Sequence, residues 1–183
     1  MPVQVIASTY TDGPILTAAS AASCVPTYVP TTLPAGYWQI GRQWRITCSG
    51  RVSCVVTTPG TFRLDVRHAA ITVFDTLALP LNVVAQTTVP WFGEFLLTCR
   101  SVGSGTSATL MGMGVLRSTA FLNVAAVATG PWAGVIAVPY NTAPVVGAGF
   151  DSTAANVMDF RFTQTAATGS FTMHQFIIEQ LTP

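Results

Sequence analysis

The chain has 183 residues, half of them apolar and only 8% charged, with a formal net charge of +1. That length suits one single-core domain, and the near-neutral balance excludes a broad field drawing the chain to nucleic acid or an anionic membrane. All eight basic residues are arginine; an apolar chain without strongly hydrated lysine is expected to cover much of its surface with other protein.

The N-terminal stretch MPVQVIASTYTDG has no basic region followed by an unbroken apolar core, so a secretory leader is not expected. Residues 1–35 carry Pro2, Pro14, Pro26, Pro30 and Pro34, which remove backbone donors and hold the chain open. They read as an extended arm, with a short helical turn expected at Leu16–Cys24. The arm also carries Ile6, Tyr10, Ile15, Leu16 and Tyr28, too much apolar material for a free tail. It is expected to lie on its own core or on a neighbour, and to become ordered on assembly.

Residues 36–183 read as the folded domain. From Tyr37 onward the apolar pattern has period two. Trp44, Ile46 and Cys48 alternate with Arg45, Thr47 and Ser49, and Gly50 permits a bulge. TFRLDVRH points Phe62, Leu64 and Val66 inward and Arg63, Asp65 and Arg67 outward, where opposite charges can pair. A strand near ITVFDTLAL follows. WFGEFLLTCRSV sets Phe95, Leu97 and Cys99 against Glu94, Thr98 and Arg100. TSATLMGMGVLRS has Gly112 and Gly114 in phase with Leu110 and Leu116, glycines that would suit a bend or close approach of another chain. GVIAVP, VMDFRFTQT with Met158, Phe160 and Phe162 inward, and GSFTMHQFIIEQL complete the series. The last is apolar on both faces near Phe176–Ile178.

About eight strands without a sustained helical period predict an all-β, jelly-roll-like two-sheet β-sandwich with an extended N-terminal arm. Long connections near 118–132 and 140–156 suit strands that cross between sheets. The uncharged run Ala120–Tyr140 is broken by Asn123, Gly130, Pro131, Gly134 and Pro139, so no membrane span is expected there. Cys24, Cys48, Cys54 and Cys99 lack zinc spacing and are expected to be reduced, with a Cys48–Cys99 disulfide as the alternative.

The runs TLPAGYWQIGRQWRITCSGRVS, TFRLDVR, LLTCRSVGSGTSATLMGMGVL and FDSTAANVMDFRFTQTAATGSFTMHQFIIEQL together resemble a group of tailed-bacteriophage structural proteins, over about residues 31–181. The resemblance lies in pattern and phrase, not in a catalytic signature. It implies a jelly-roll virion protein, a capsid decoration or minor head protein made in the host cytoplasm and carried on the particle surface. Such proteins are commonly homotrimers that bind the major capsid protein or other virion proteins.

No nucleophile–base–acid set is apparent. His68 and His174 read as polar positions on sheet faces, and Asp65 and Asp159 sit beside arginines that would pair with them rather than as a glycosidase acid pair. SVGSGTSATLMGMG lacks the GK[ST] ending of a phosphate loop. Asp151, Ser152, Thr153 and Asn156 read as a self-capped turn rather than a calcium loop. The expectation is therefore no enzyme, no metal and no cofactor. Arg42, Arg45 and Arg51, with Trp38 and Trp44 between them, have the ingredients of a single-strand binder, but the near-neutral domain argues against nucleic acid. They are expected at protein–protein contacts, together with Tyr10 and Tyr28 of the arm. The alternative function is a receptor- or glycan-binding head of a tail fibre or spike, carried by Trp91, Trp132 and Tyr140.

Overall fold

The structure, a computed structural model, describes residues 3–55, 58–121 and 134–181. Its elements are β1 (Gln4–Ser8), β2 (Ala22–Ser23), β3 (Thr31–Leu33), β4 (Gln43–Cys54), β5 (Thr61–His68), β6 (Ile71–Asp75), β7 (Leu79–Pro80), β8 (Gln86–Ser101), β9 (Thr109–Ser118), β10 (Val135–Val138), β11 (Asn156–Gln164) and β12 (Ser170–Gln180). No helix occurs among the described residues. They form two antiparallel sheets packed as a jelly-roll-like sandwich. The front sheet runs β1-β12-β4-β8-β9-β10; the back sheet runs β2-β11-β5-β6, with β3 also on β11 and β7 also on β5.

The sandwich is a folded ribbon. β4 pairs with β12 in front, and their chain neighbours β5 and β11 pair with each other behind. The alternating strands supply the reason: each has an apolar side to bury, and folding the ribbon over itself sets the two apolar sides face to face. Phe62, Leu64 and Val66 from one sheet and Phe95, Leu97 and Cys99 from the other are fully buried, as their alternation predicts. Met158, Phe160 and Phe162 join them.

Aromatic rings fill both ends of this core. At one end Phe162 and Phe171 stack with centroids 4.2 Å apart, flanked by Phe62, Trp91 and Phe121. At the other, Trp38 packs on Trp44 at 4.5 Å, beside His68 and Phe150. Each buried ring of this size stabilises the fold by about 1.5–3 kcal/mol. The strand glycines serve this packing. A Cβ on Gly112 would lie 2.1 Å from the Phe74 ring, and one on Gly114 would lie 2.3 Å from the Glu94 carbonyl and 2.5 Å from the Phe95 ring. The close approach they allow is therefore within the chain.

The described part of the arm, residues 3–35, is built into the sandwich. β1 pairs with β12; Gly13 and Leu16 continue along the same strand through Met173 and Phe171. The chain then crosses to the other sheet, where β2 and β3 pair with β11. Cys24, Val25, Val29 and Leu33 are buried in the common core. The arm thus covers the otherwise open edges of β12 and β11, edges that would template pairing with other chains. The expected helical turn at Leu16–Cys24 is absent: Leu16 bridges Phe171 and Ala22–Ser23 is a strand. These backbone groups find their partners on neighbouring strands, which no local sequence signal reports.

All four cysteines are free and buried. Cys48 lies opposite Gly93, six residues along β8 from Cys99, about 20 Å at strand rise, so the alternative Cys48–Cys99 bridge cannot form. Burial pushes all four thiols above their ordinary range.

Candidate functional site

The outer faces of the two sheets differ in chemistry. On the back sheet, Asp159 lies opposite Arg67 and Arg161 opposite Asp65. Arg63 forms a bidentate pair with Asp75. Arg67 Nε donates to Asp65 Oδ1 at 2.5 Å, and Ser23 Oγ donates to Asp159 Oδ1 at 2.7 Å. Hydrogen bonding to their carboxylate partners raises the pKa of Arg63 and Arg67. Three arginines and three aspartates form one neutral network. Asp65, expected to face outward, does so in register yet is fully buried. The expected pairing of these charges is present.

The front sheet carries few charges outside. Read across β12, β4, β8 and β9, one row is Glu179, Arg45, Leu96, Met113; the next is Ile177, Thr47, Glu94, Val115; the third is Gln175, Ser49, Phe92, Arg117. Val135 of β10 extends the third row. Arg45 and Glu179 pair at 2.8 Å across neighbouring strands. Leu96 and Met113 are 43% and 51% exposed, a high value for large apolar side chains in mid-strand. A groove of about 400 Å³ runs over this centre, lined by Arg45, Glu94, Leu96, Met113, Gly114, Val115, Arg117 and Leu181 among others. No described segment covers this face.

The sequence-predicted contact residues divide between surface and core. Arg45 is on the front face, and Arg51 is exposed in the same phase of β4. Arg42 sits in the turn before β4, its guanidinium 4.6 Å from the centre of the Tyr37 ring. Trp38 and Trp44 are 3% and 0% exposed, so they are core residues and not contact residues. Trp44 Nε1 donates to Tyr37 Oη at 2.7 Å, which in turn donates to Gln180 Oε1. Desolvation raises the Tyr37 pKa against the opposing pull of Trp44 and Arg42. Tyr10 and Tyr28 remain exposed, with rings stacked at 4.3 Å. Desolvation pushes the Tyr28 phenol up, but the hydrogen bonds from Thr11 and from the Tyr10 and Thr11 amides outweigh it and leave the group below its ordinary value.

The arm and the back sheet enclose a cleft of about 700 Å³ beside Tyr28, lined by Asp12, Pro14, Val25, Pro26, Val157 and Asp159 among others. Asp12 is tied to His174 at 2.8 Å. His68, expected on a sheet face, is instead buried. Its Nε2 accepts from Trp38 Nε1 at 3.0 Å, its Nδ1 has no partner, and desolvation lowers its pKa to about 4. Asp151 caps its own turn as expected, accepting from the Thr153 amide and hydroxyl, which lower its pKa.

Of the aromatics assigned to glycan binding, Trp91 is buried and Tyr140 packs against the core; Trp132 lies outside the described residues. Among the described residues no His, Cys, Asp and Glu side chains gather as a metal-binding group, and no helix is long and apolar enough to cross a membrane.

Sequence reasoning missed the centre of the front face. The signal was present: Phe92 and Leu96 fall in the same phase of β8 as Glu94, Thr98 and Arg100, so apolar residues occupy positions that a solvent-facing strand gives to polar ones. Compared with protein families, with curated proteins and with solved structures, the chain matches none.

Proposed function

We propose that this chain is a structural subunit of a tailed-bacteriophage particle, decorating or cementing the capsid by protein–protein contact through the outer face of the front sheet. The observation that carries the reading is that uncovered face, with Phe92, Leu96, Met113 and Val115 at its centre. Contiguous exposed apolar surface of this kind marks interaction sites. The likeness of residues 31–181 to phage structural proteins supplies the setting. The action is adhesion, with no chemistry and no cofactor: a rigid two-sheet body ties neighbouring subunits together, and Arg51, exposed in the outward phase of β4, supplies a planar fork for a partner's carboxylate.

The test uses purified particles of the phage that encodes the chain, assembled with Leu96→Glu, Met113→Glu or, as a control on the back sheet, Val157→Glu. The two front-face variants should lose occupancy on the particle while the isolated proteins keep their melting temperature, and the control should keep both. Full occupancy by both front-face variants, or absence of the wild-type chain from particles, would overturn the reading.

A further inference from the structure

Four charged residues in the outward phase of the front sheet, Arg51, Glu94, Arg100 and Arg117, have no ion-pair partner among the described residues, and two of them, Glu94 and Arg117, are neighbours of opposite sign at its centre. Glu94, on β8, is exposed and has no ion-pair partner among the described residues. Arg117, on β9, is exposed, and its guanidinium is 5.7 Å from the Phe92 ring centre with no carboxylate paired to it among the described residues. Phe92 faces Arg117 across the β8–β9 ladder, and Glu94 faces Val115. Glu94 and Arg117 are therefore diagonal neighbours, about 7–8 Å apart at Cα by strand geometry. They sit within an apolar surround of Phe92, Leu96, Met113 and Val115.

An anion and a cation set side by side on a flat apolar face are complementary to the same face turned over. A two-fold axis in the plane between two such faces, bisecting the Glu94–Arg117 diagonal, brings each Glu94 against the Arg117 of the other copy. The arrangement is isologous, so one surface serves both partners and the contact closes. We propose that the front face pairs with a second copy of this chain, sheet on sheet, with two reciprocal Glu94–Arg117 ion pairs at its centre and Leu96, Met113 and Val115 packed around them. This rests on the reading of the front face as the contact surface on the particle and names the occupant of that face as a second, neighbouring copy of this chain; it replaces the trimer implied by the family resemblance with a dimer.

The reciprocity gives a sharp test by sedimentation velocity on the full chain. Wild-type protein should sediment as a dimer at micromolar concentration. Glu94→Arg leaves two cations on each face and Arg117→Glu leaves two carboxylates; each variant alone should dimerise about tenfold or more weakly, because two like-charge pairs meet in every dimer. The double variant E94R/R117E should recover the wild-type constant to within a few-fold. Mixing the two single variants should give a heterodimer, since the faces are then opposite in charge. Melting temperature and circular dichroism check that each variant is folded. Monomeric or trimeric wild-type protein, single variants that dimerise like wild type, or a mixture that stays monomeric would each sink the proposal. A monomeric wild type whose front-face variants still fall off particles would overturn only the pairing between copies. Unchanged particle occupancy would overturn the contact face itself.

Discussion

The two outer faces of the sandwich treat charge in opposite ways. The back face gathers Arg63, Arg67, Arg161, Asp65, Asp75 and Asp159 into one neutral network. The front face pairs Arg45 with Glu179 at its rim, while Glu94 and Arg117, beside Phe92, Leu96 and Met113, have no ion-pair partner among the described residues. Charges that answer one another within a chain stabilise that chain; charges left unanswered on an apolar surface specify a partner. With so few charged residues, their placement rather than their number separates a finished surface from an unfinished one.

The largest effect should come from breaking the back network at its buried member. Asp65→Ala strips a fully buried carboxylate from Arg67, whose side chain is only one-fifth exposed. Removing one partner of a buried pair costs about 3–5 kcal/mol. Urea unfolding should show a loss of that order; a loss under about 1 kcal/mol would mean that the network is as dispensable as an ordinary surface pair.

The core between the faces gives the next effect. His68 holds a pKa of about 4 in the fold, against about 6.5 when unfolded. The unfolded chain therefore takes up a proton that the folded chain refuses. Stability should be unaffected above about pH 7, fall as pH drops through 6.5, and reach its full loss of about 3 kcal/mol near pH 4. Urea midpoints of wild type and His68→Phe across pH 4–7 measure this. The variant should be less stable at pH 7, because the Trp38 indole loses its acceptor, yet it should lack this histidine's share of the acid slope. Identical slopes would rule out His68 as the titrating group.

A smaller effect probes the seating of the front sheet. Gly112→Ala places a methyl group against the Phe74 ring, which packs 5.5 Å from Phe95. Overpacking of this kind costs about 1–3 kcal/mol, to be read from the melting temperature and denaturant midpoint.

The smallest change in stability should come from the front face itself. Arg45→Ala removes a partly exposed ion pair with Glu179, worth about 0.2–1 kcal/mol, while occupancy on particles should fall. A variant that melts early but still binds particles would reverse the assignment of the two faces.

Much of the sandwich was legible because burial in a strand is a local, two-residue rhythm. The outward phase of TFRLDVRH named the members of the back network, and the phase of WFGEFLLTCRSV separated Phe95 and Leu97 from Glu94. The candidate site was legible only in part. Arg45 and Arg51 were read as outward from the same rhythm, whereas Trp38 lies before the strand, in the turn where Gly41 donates to the Cys99 carbonyl, and rhythm says nothing there. Trp44 was inward by its own alternation and belongs with the core. The arm read as an extended segment ordered on assembly because its prolines break local pairing, yet β1 finds β12 at the far end of the chain.

Alternation of Cβ directions along an extended chain is fixed by the backbone, so the sequence by itself determined the all-β class, the inward residues of each long strand, the capped turn at Asp151 and the scarcity of charge. Which outward residues meet one another depends on register and on which strands become neighbours. Those are set by distant segments: β11 beside β5, β12 beside β4, and the arm along both edges. Only the tertiary structure therefore decided that Asp65 is buried beneath its own network, that His68 sits in an aromatic end of the core, and that Glu94 and Arg117 lie diagonally on a face no other part of the described chain covers.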